Sequence, residues 1–161
     1  MTDLLKTINP ATRIETEADA RAVARASSIA LWLSAARYAV TTASLAANYG
    51  NVRTLAAAQA EAMGAAVSVD MVAYGIVAGP AISTTAMIAA GLWQWKRPGV
   101  VVPIIWLFLI AYGLFEFVRQ GASFGGMGLI TTALMLICAV LHISGLRGAN
   151  AVGKFRDAQA Y

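Results

Sequence analysis

Val100 to Val118, VVVPIIWLFLIAYGLFEFV, carries Glu116 as its only charge. A helix rises about 1.5 Å per residue, so roughly 20 apolar residues cover a hydrocarbon core about 30 Å thick. This stretch is therefore long and apolar enough to cross a bilayer. Met71 to Trp95 and Phe124 to Leu146 pass the same test, and Ala26 to Ala47 passes it apart from Arg37. The sequence predicts an all-α, integral membrane four-helix bundle with spans over 26–47, 71–95, 100–118 and 124–146.

Composition supports that reading. The 161 residues are 59% hydrophobic and 12% charged, where a soluble domain carries about 25% charged residues. Mean hydropathy is +0.67. Four spans and their loops use nearly the whole length, leaving a cytoplasmic tail and amphipathic helix over 1–25, the transmembrane domain over 26–146 and a basic cytoplasmic tail over 147–161. The polar start, with Asp3, Glu15, Glu17 and Asp19, is unlike the basic n-region of a cleaved signal peptide, so the first span is expected to remain as a signal anchor.

Local signals refine the layout. Thr12 and Glu15 fit a capping box for a helix starting near Arg13, with a Glu17–Arg21 pair on its wet side. Asn48-Tyr49-Gly50-Asn51 supplies turn chemistry after the first span. From Thr54 to Trp95 the only strong breaker is Pro80, and one helix of that length would measure roughly 60 Å, twice the hydrocarbon thickness. Thr54 to Val69, with Gln59 and Glu61, is therefore placed as an Ala-rich helical extension on the outer side. Pro80 predicts a kink in the second span, with Ser83, Thr84 and Thr85 near enough to re-satisfy freed backbone groups. Pro103 falls in the first turn of the third span, where proline is tolerated.

Orientation follows from the basic residues. Lys6, Arg13, Arg21, Arg25, Lys96, Arg97, Arg147, Lys154 and Arg156 share one side in this layout, against Arg53 and Arg119 on the other. Both termini are expected in the cytoplasm. Trp93 and Trp95 fit the inner aromatic belt, and Tyr49, Phe115, Phe117 and Phe124 the outer one. The high alanine content fits a bacterial inner membrane. The net charge of +4 is scattered around span ends and reads as topology, with no nucleic-acid partner expected.

Four ionisable residues lie in or beside the apolar spans. Arg37 is near the middle of the first, where a charge costs at least about 2.5–3.5 kcal/mol on insertion scales. It is within snorkelling reach of Glu116 or Asp70, while Glu116 and Arg119 are also spaced to pair locally, and Asp70 suits the start of the second span as a cap. Gly75–Gly79 and Gly121–Gly125 give small-xxx-small spacing for helix packing, within the chain or between chains. Cys138 and His142 share a helical face, but one chain offers no further Cys or His to close a metal site, so packing roles are expected and neither a metal nor another cofactor is predicted.

No P-loop, dinucleotide fingerprint, HExxH or nucleophile elbow occurs. The expectation is a non-enzymatic integral membrane protein. It would be an accessory or self-assembling subunit, contacting membrane lipids and other transmembrane helices in a homo-oligomer or larger complex. A small channel or transporter using Arg37 and Glu116 is the alternative.

Overall fold

The computed structural model describes residues 7–9, 11–64, 67–119 and 126–159. Among them every regular element is a helix: α1 (Glu17–Ala24), α2 (Ala26–Ala47), α3 (Tyr49–Met63), α4 (Val69–Lys96), α5 (Val101–Arg119) and α6 (Gly126–Gln159). Three are long and apolar enough to cross a membrane, namely Val69–Lys96, Val101–Arg119 and Gly128–Ala158. Helix α2 has the length, at 22 residues, but stands outside this set. Arg37 and the hydroxyl residues Ser27, Ser28, Ser34, Thr41, Thr42 and Ser44 lower its mean hydropathy. An all-helical chain with three membrane-spanning candidates is thus established, as befits an integral membrane protein.

Helix α1 begins one turn later than the sequence suggested. Thr16 is the N-cap, its Oγ1 accepting from the Asp19 N–H at 3.1 Å and donating to Asp19 Oδ2 at 2.9 Å. Thr12 stays outside the helix, and its carbonyl accepts from the Arg147 guanidinium. The expected Glu17–Arg21 pair forms at 2.6 Å. Arg25 alone separates α1 from α2, and its carbonyl accepts from both Ser28 and Ile29.

The chain forms two compact units, one from residues 1–32 and 90–161, the other from residues 33–89. In the first, the start of α2 runs antiparallel to α6. Ala26, Ala30, Cys138 and Leu141 make a buried cluster, joined by Ile110 of α5 and Leu134 of α6. Glycine sets the spacing. A Cβ on Gly148 would strike the Ala24 nitrogen and lie 2.7 Å from the Val23 carbonyl carbon, and one on Gly145 would lie 2.6 Å from Ser27 Cβ. Helix α6 measures about 51 Å at 34 residues. It continues through Arg147, Lys154 and Arg156 without turning at Leu146, because Ala149 and Val152 are buried in the same unit.

In the second unit α3 starts at Tyr49, five residues before the expected Thr54. The expected turn falls at Asn48. It breaks the helix at one residue, Asn48, whose Nδ2 donates to the Ser44 carbonyl at 2.8 Å and whose carbonyl accepts from Val52. The reversal comes at Gly64, the one described residue with positive φ, +89°, a backbone region that costs glycine little. Helix α4 then returns beside α3, burying Val52, Ala56 and Ala73. Ser68 caps it by accepting from the Met71 N–H at 3.1 Å.

The close α1/α2–α6 approach makes a direct prediction. Gly145→Ala and Gly148→Ala should each destabilise the detergent-solubilised protein by about 1–3 kcal/mol, because the obstructing atoms are backbone or Cβ and cannot swing away. Gly153→Ala, with open space around it, should leave the thermal midpoint unchanged or raise it slightly by replacing a helical glycine.

Candidate functional site

Polar groups that meet inside the chain are the first place to look for chemistry. Where α2 crosses α6, Ser27 Oγ and His142 Nδ1 lie 2.6 Å apart, and both side chains are fully buried. Either the hydroxyl donates to a ring protonated at Nε2, or Nδ1–H donates to the hydroxyl. His142 Nε2 and Ser28 Oγ have no hydrogen-bond partner among the described residues. One turn away, Cys138 Sγ donates to the Ala30 carbonyl at 3.6 Å. Among the described residues no carboxylate is hydrogen-bonded to this Ser–His pair, and both side chains are buried. With the Cys138 contact it forms a packed polar seam between α2 and α6. Cys138 and His142 do share a face, as their spacing indicated, yet each is turned to a different residue of α2. Among the described residues no group of three or more His, Cys, Asp or Glu side chains is placed to hold a metal ion.

The residues singled out from sequence fall into separate places. Asp70 pairs with Arg53 at 3.1 Å, both about half exposed (62% and 56%), and the rings of Tyr49 and Tyr74 on the same two helices are tilted at 48° with centroids 6.5 Å apart. Ser68, and not Asp70, caps α4. Glu116 pairs with Arg119 three residues on, at 2.8 Å, within two further bonds of the same pair at 3.1 and 3.2 Å. Arg37 lies over the neighbouring Tyr38 ring, Cζ 4.5 Å from its centre, and makes no ion pair among the described residues. An aromatic face meets the guanidinium without a second buried charge.

Pro80 stands inside an unbroken α4. The hydroxyls of Ser83, Thr84 and Thr85 bond to the carbonyls of Gly79, Pro80 and Ala81 at 2.9, 2.9 and 3.2 Å. They therefore serve the turn after the proline, not the Ile76 carbonyl whose N–H partner Pro80 removes. Gly75 and Gly79 are exposed, with nothing within 4 Å of an added Cβ. Gly121 and Gly125 lie outside the described residues, as do Phe124, Lys6 and Asp3.

Sequence reasoning missed Ser27, 115 positions from His142, since nothing local joins them. The available signal was the Gly145–Gly148 spacing next to His142, which marks the face of α6 that another helix approaches. Compared with known protein families, curated proteins and solved structures, the chain matches none.

Ser27→Ala should cost about 1–3 kcal/mol by leaving the buried imidazole without its partner. Arg53→Ala should cost under about 1 kcal/mol, as exposed ion pairs do. Thermal unfolding of the two variants in one detergent compares them directly.

Proposed function

We propose that this is a non-enzymatic integral membrane protein of a bacterial inner membrane, an accessory or self-assembling subunit whose partners are lipids and other transmembrane helices. The carrying observation is how little its apolar helices bury within the chain. Only 6% of the most apolar stretch of α4 is buried, 6% of that of α5, and 28% of that of α6. Such helices need lipid or neighbouring helices over most of their circumference.

Helix α4 favours a protein neighbour on one side. Gly75 and Gly79 are one turn apart and uncovered, with Ala78 and Ala86 exposed on the same helix. Small residues let a second backbone come close enough for dispersion and weak hydrogen bonds to act, which larger side chains prevent. In this reading α2 is a fourth span, α4 is kinked at Pro80, α3 is an extension on the outer side, and both termini are cytoplasmic. The basic residues outside the spans, Arg25, Lys96, Arg97, Arg147, Lys154 and Arg156 against Arg53 and Arg119, support that orientation. The alternative, a channel or transporter using Arg37 and Glu116, draws less support, because Glu116 already has Arg119 and Arg37 has Tyr38.

Native mass spectrometry of the protein extracted from its own membrane in mild detergent tests the proposal. It should show an oligomer or a complex with another membrane protein. In a self-association assay, Gly75→Leu/Gly79→Leu should weaken dimerisation by at least about tenfold, matching the roughly 1–2 kcal/mol typical of interhelical contacts in membranes. A strict monomer without a bound protein contradicts it. Proteoliposome flux that disappears in Arg37→Ala and in Glu116→Gln would favour the alternative.

A further inference from the structure

The arginines are used in two different ways. Arg21, Arg53 and Arg119 each sit against a carboxylate, Glu17, Asp70 and Glu116 respectively. Arg25, Lys96 and Arg97 make no ion pair among the described residues. Two of these three lie over indole rings instead, with Arg25 Cζ 4.8 Å from the centre of Trp95 and Arg97 Cζ 6.0 Å from that of Trp93.

The Trp95 platform beneath Arg25 is fixed by packing within one compact unit. Trp95 stacks on Trp32, centroids 5.3 Å apart with the planes at 33°. The Trp32 ring occupies the place where a Cβ on Gly91 would point, with its Cδ1 at 2.7 Å, so glycine is what admits the ring. Gln94 is fully buried and grips Gly99 at both ends, donating to its carbonyl at 2.9 Å and accepting from its N–H at 3.3 Å. That clamp holds the turn containing Lys96 and Arg97 against the end of α4. An indole face satisfies a guanidinium from one side and leaves its N–H edge free for a second partner.

We propose that this collar of cations and indoles binds the headgroup phosphate of an anionic phospholipid. Its place in the chain selects lipid over a soluble anion. Lys96 is the last residue of a 28-residue helix apolar enough to span a membrane, so the collar stands at headgroup depth. Beside it Trp93 is 63% exposed, with Leu92 also exposed, and this apolar apron receives glycerol esters and acyl chains. Three positive charges that make no ion pair among the described residues select an anionic headgroup over a zwitterionic one. The proposal needs α4 to cross the membrane but does not need the subunit role above.

The test uses the full chain carrying Trp106→Phe, so that Trp32, Trp93 and Trp95 alone report. The protein is reconstituted in phosphatidylcholine vesicles containing either brominated phosphatidylglycerol or brominated phosphatidylcholine, and tryptophan quenching gives the relative association of the two lipids. Phosphatidylglycerol should be preferred at least about fivefold, the gain one basic residue gives near an anionic surface. In Arg25→Gln/Lys96→Gln/Arg97→Gln the ratio should fall to about one, as expected when that attraction is removed. Lys96→Gln alone, at an exposed position, preserves folding and should lower the ratio by about half or more. Arg119→Gln should leave it unchanged, and so should millimolar glycerol phosphate. An absent preference in the parent, a preference that survives in both the triple variant and Lys96→Gln, or one abolished by soluble glycerol phosphate overturns the proposal.

Discussion

In the hydrocarbon core of a bilayer no water pairs with the peptide group, so each backbone N–H and C=O must find its partner within the protein. That constraint accounts for the helical character of this chain and also for the conduct of its hydroxyls. Thr84 bonds to the carbonyl of Pro80, Thr132 to that of Gly128 and Ser144 to that of Val140, each four residues back on its own helix. A threonine or serine satisfied in this way adds little polarity to a greasy surface. Ser83 and Thr85 do the same around Pro80, where the ladder has lost a donor.

Among the described residues, the buried side-chain hydrogen bonds between helices lie in one seam. There the glycines at 145 and 148 bring α6 against the backbone of α1 and the start of α2, and Ser27 meets His142 inside the contact. The two features depend on each other. A hydroxyl and an imidazole can share a 2.6 Å bond in a dry interior only if the helices come close, and close approach needs positions without side chains. Elsewhere, α4 and α5 offer their apolar surfaces outward. Their stability therefore rests on what surrounds the chain more than on contacts inside it.

Periodicity-free apolar runs were legible in the sequence because span length is set by bilayer thickness, which is why α4, α5 and α6 emerge near the expected positions. Helix α2 was less legible. Its alanines and single charge resemble a span, while Ala26, Ser27 and Ala30 at its start pack against Cys138, Leu141 and His142 of α6. Helix starts were less legible than helix existence: Thr16 replaced Thr12 as the cap of α1, and α3 begins at Tyr49 ahead of Thr54. Local charge spacing was a good guide, since Glu17–Arg21 and Glu116–Arg119 both pair as their spacing allows. Distant partners such as Arg53 with Asp70, or Ser27 with His142, left no local trace.

Collision accessibility of nitroxide labels tests most directly whether lipid is the solvent for these helices. Single cysteines introduced at Ile82, Phe108 and Ile137 in a Cys138→Ala background place labels midway along α4, α5 and α6, and one at Gly153 serves as the aqueous reference. In reconstituted vesicles the three mid-helix labels should collide freely with oxygen and scarcely with a water-soluble nickel chelate, the reverse of the label at Gly153. Nickel accessibility at the three positions equal to that at Gly153 would contradict the account.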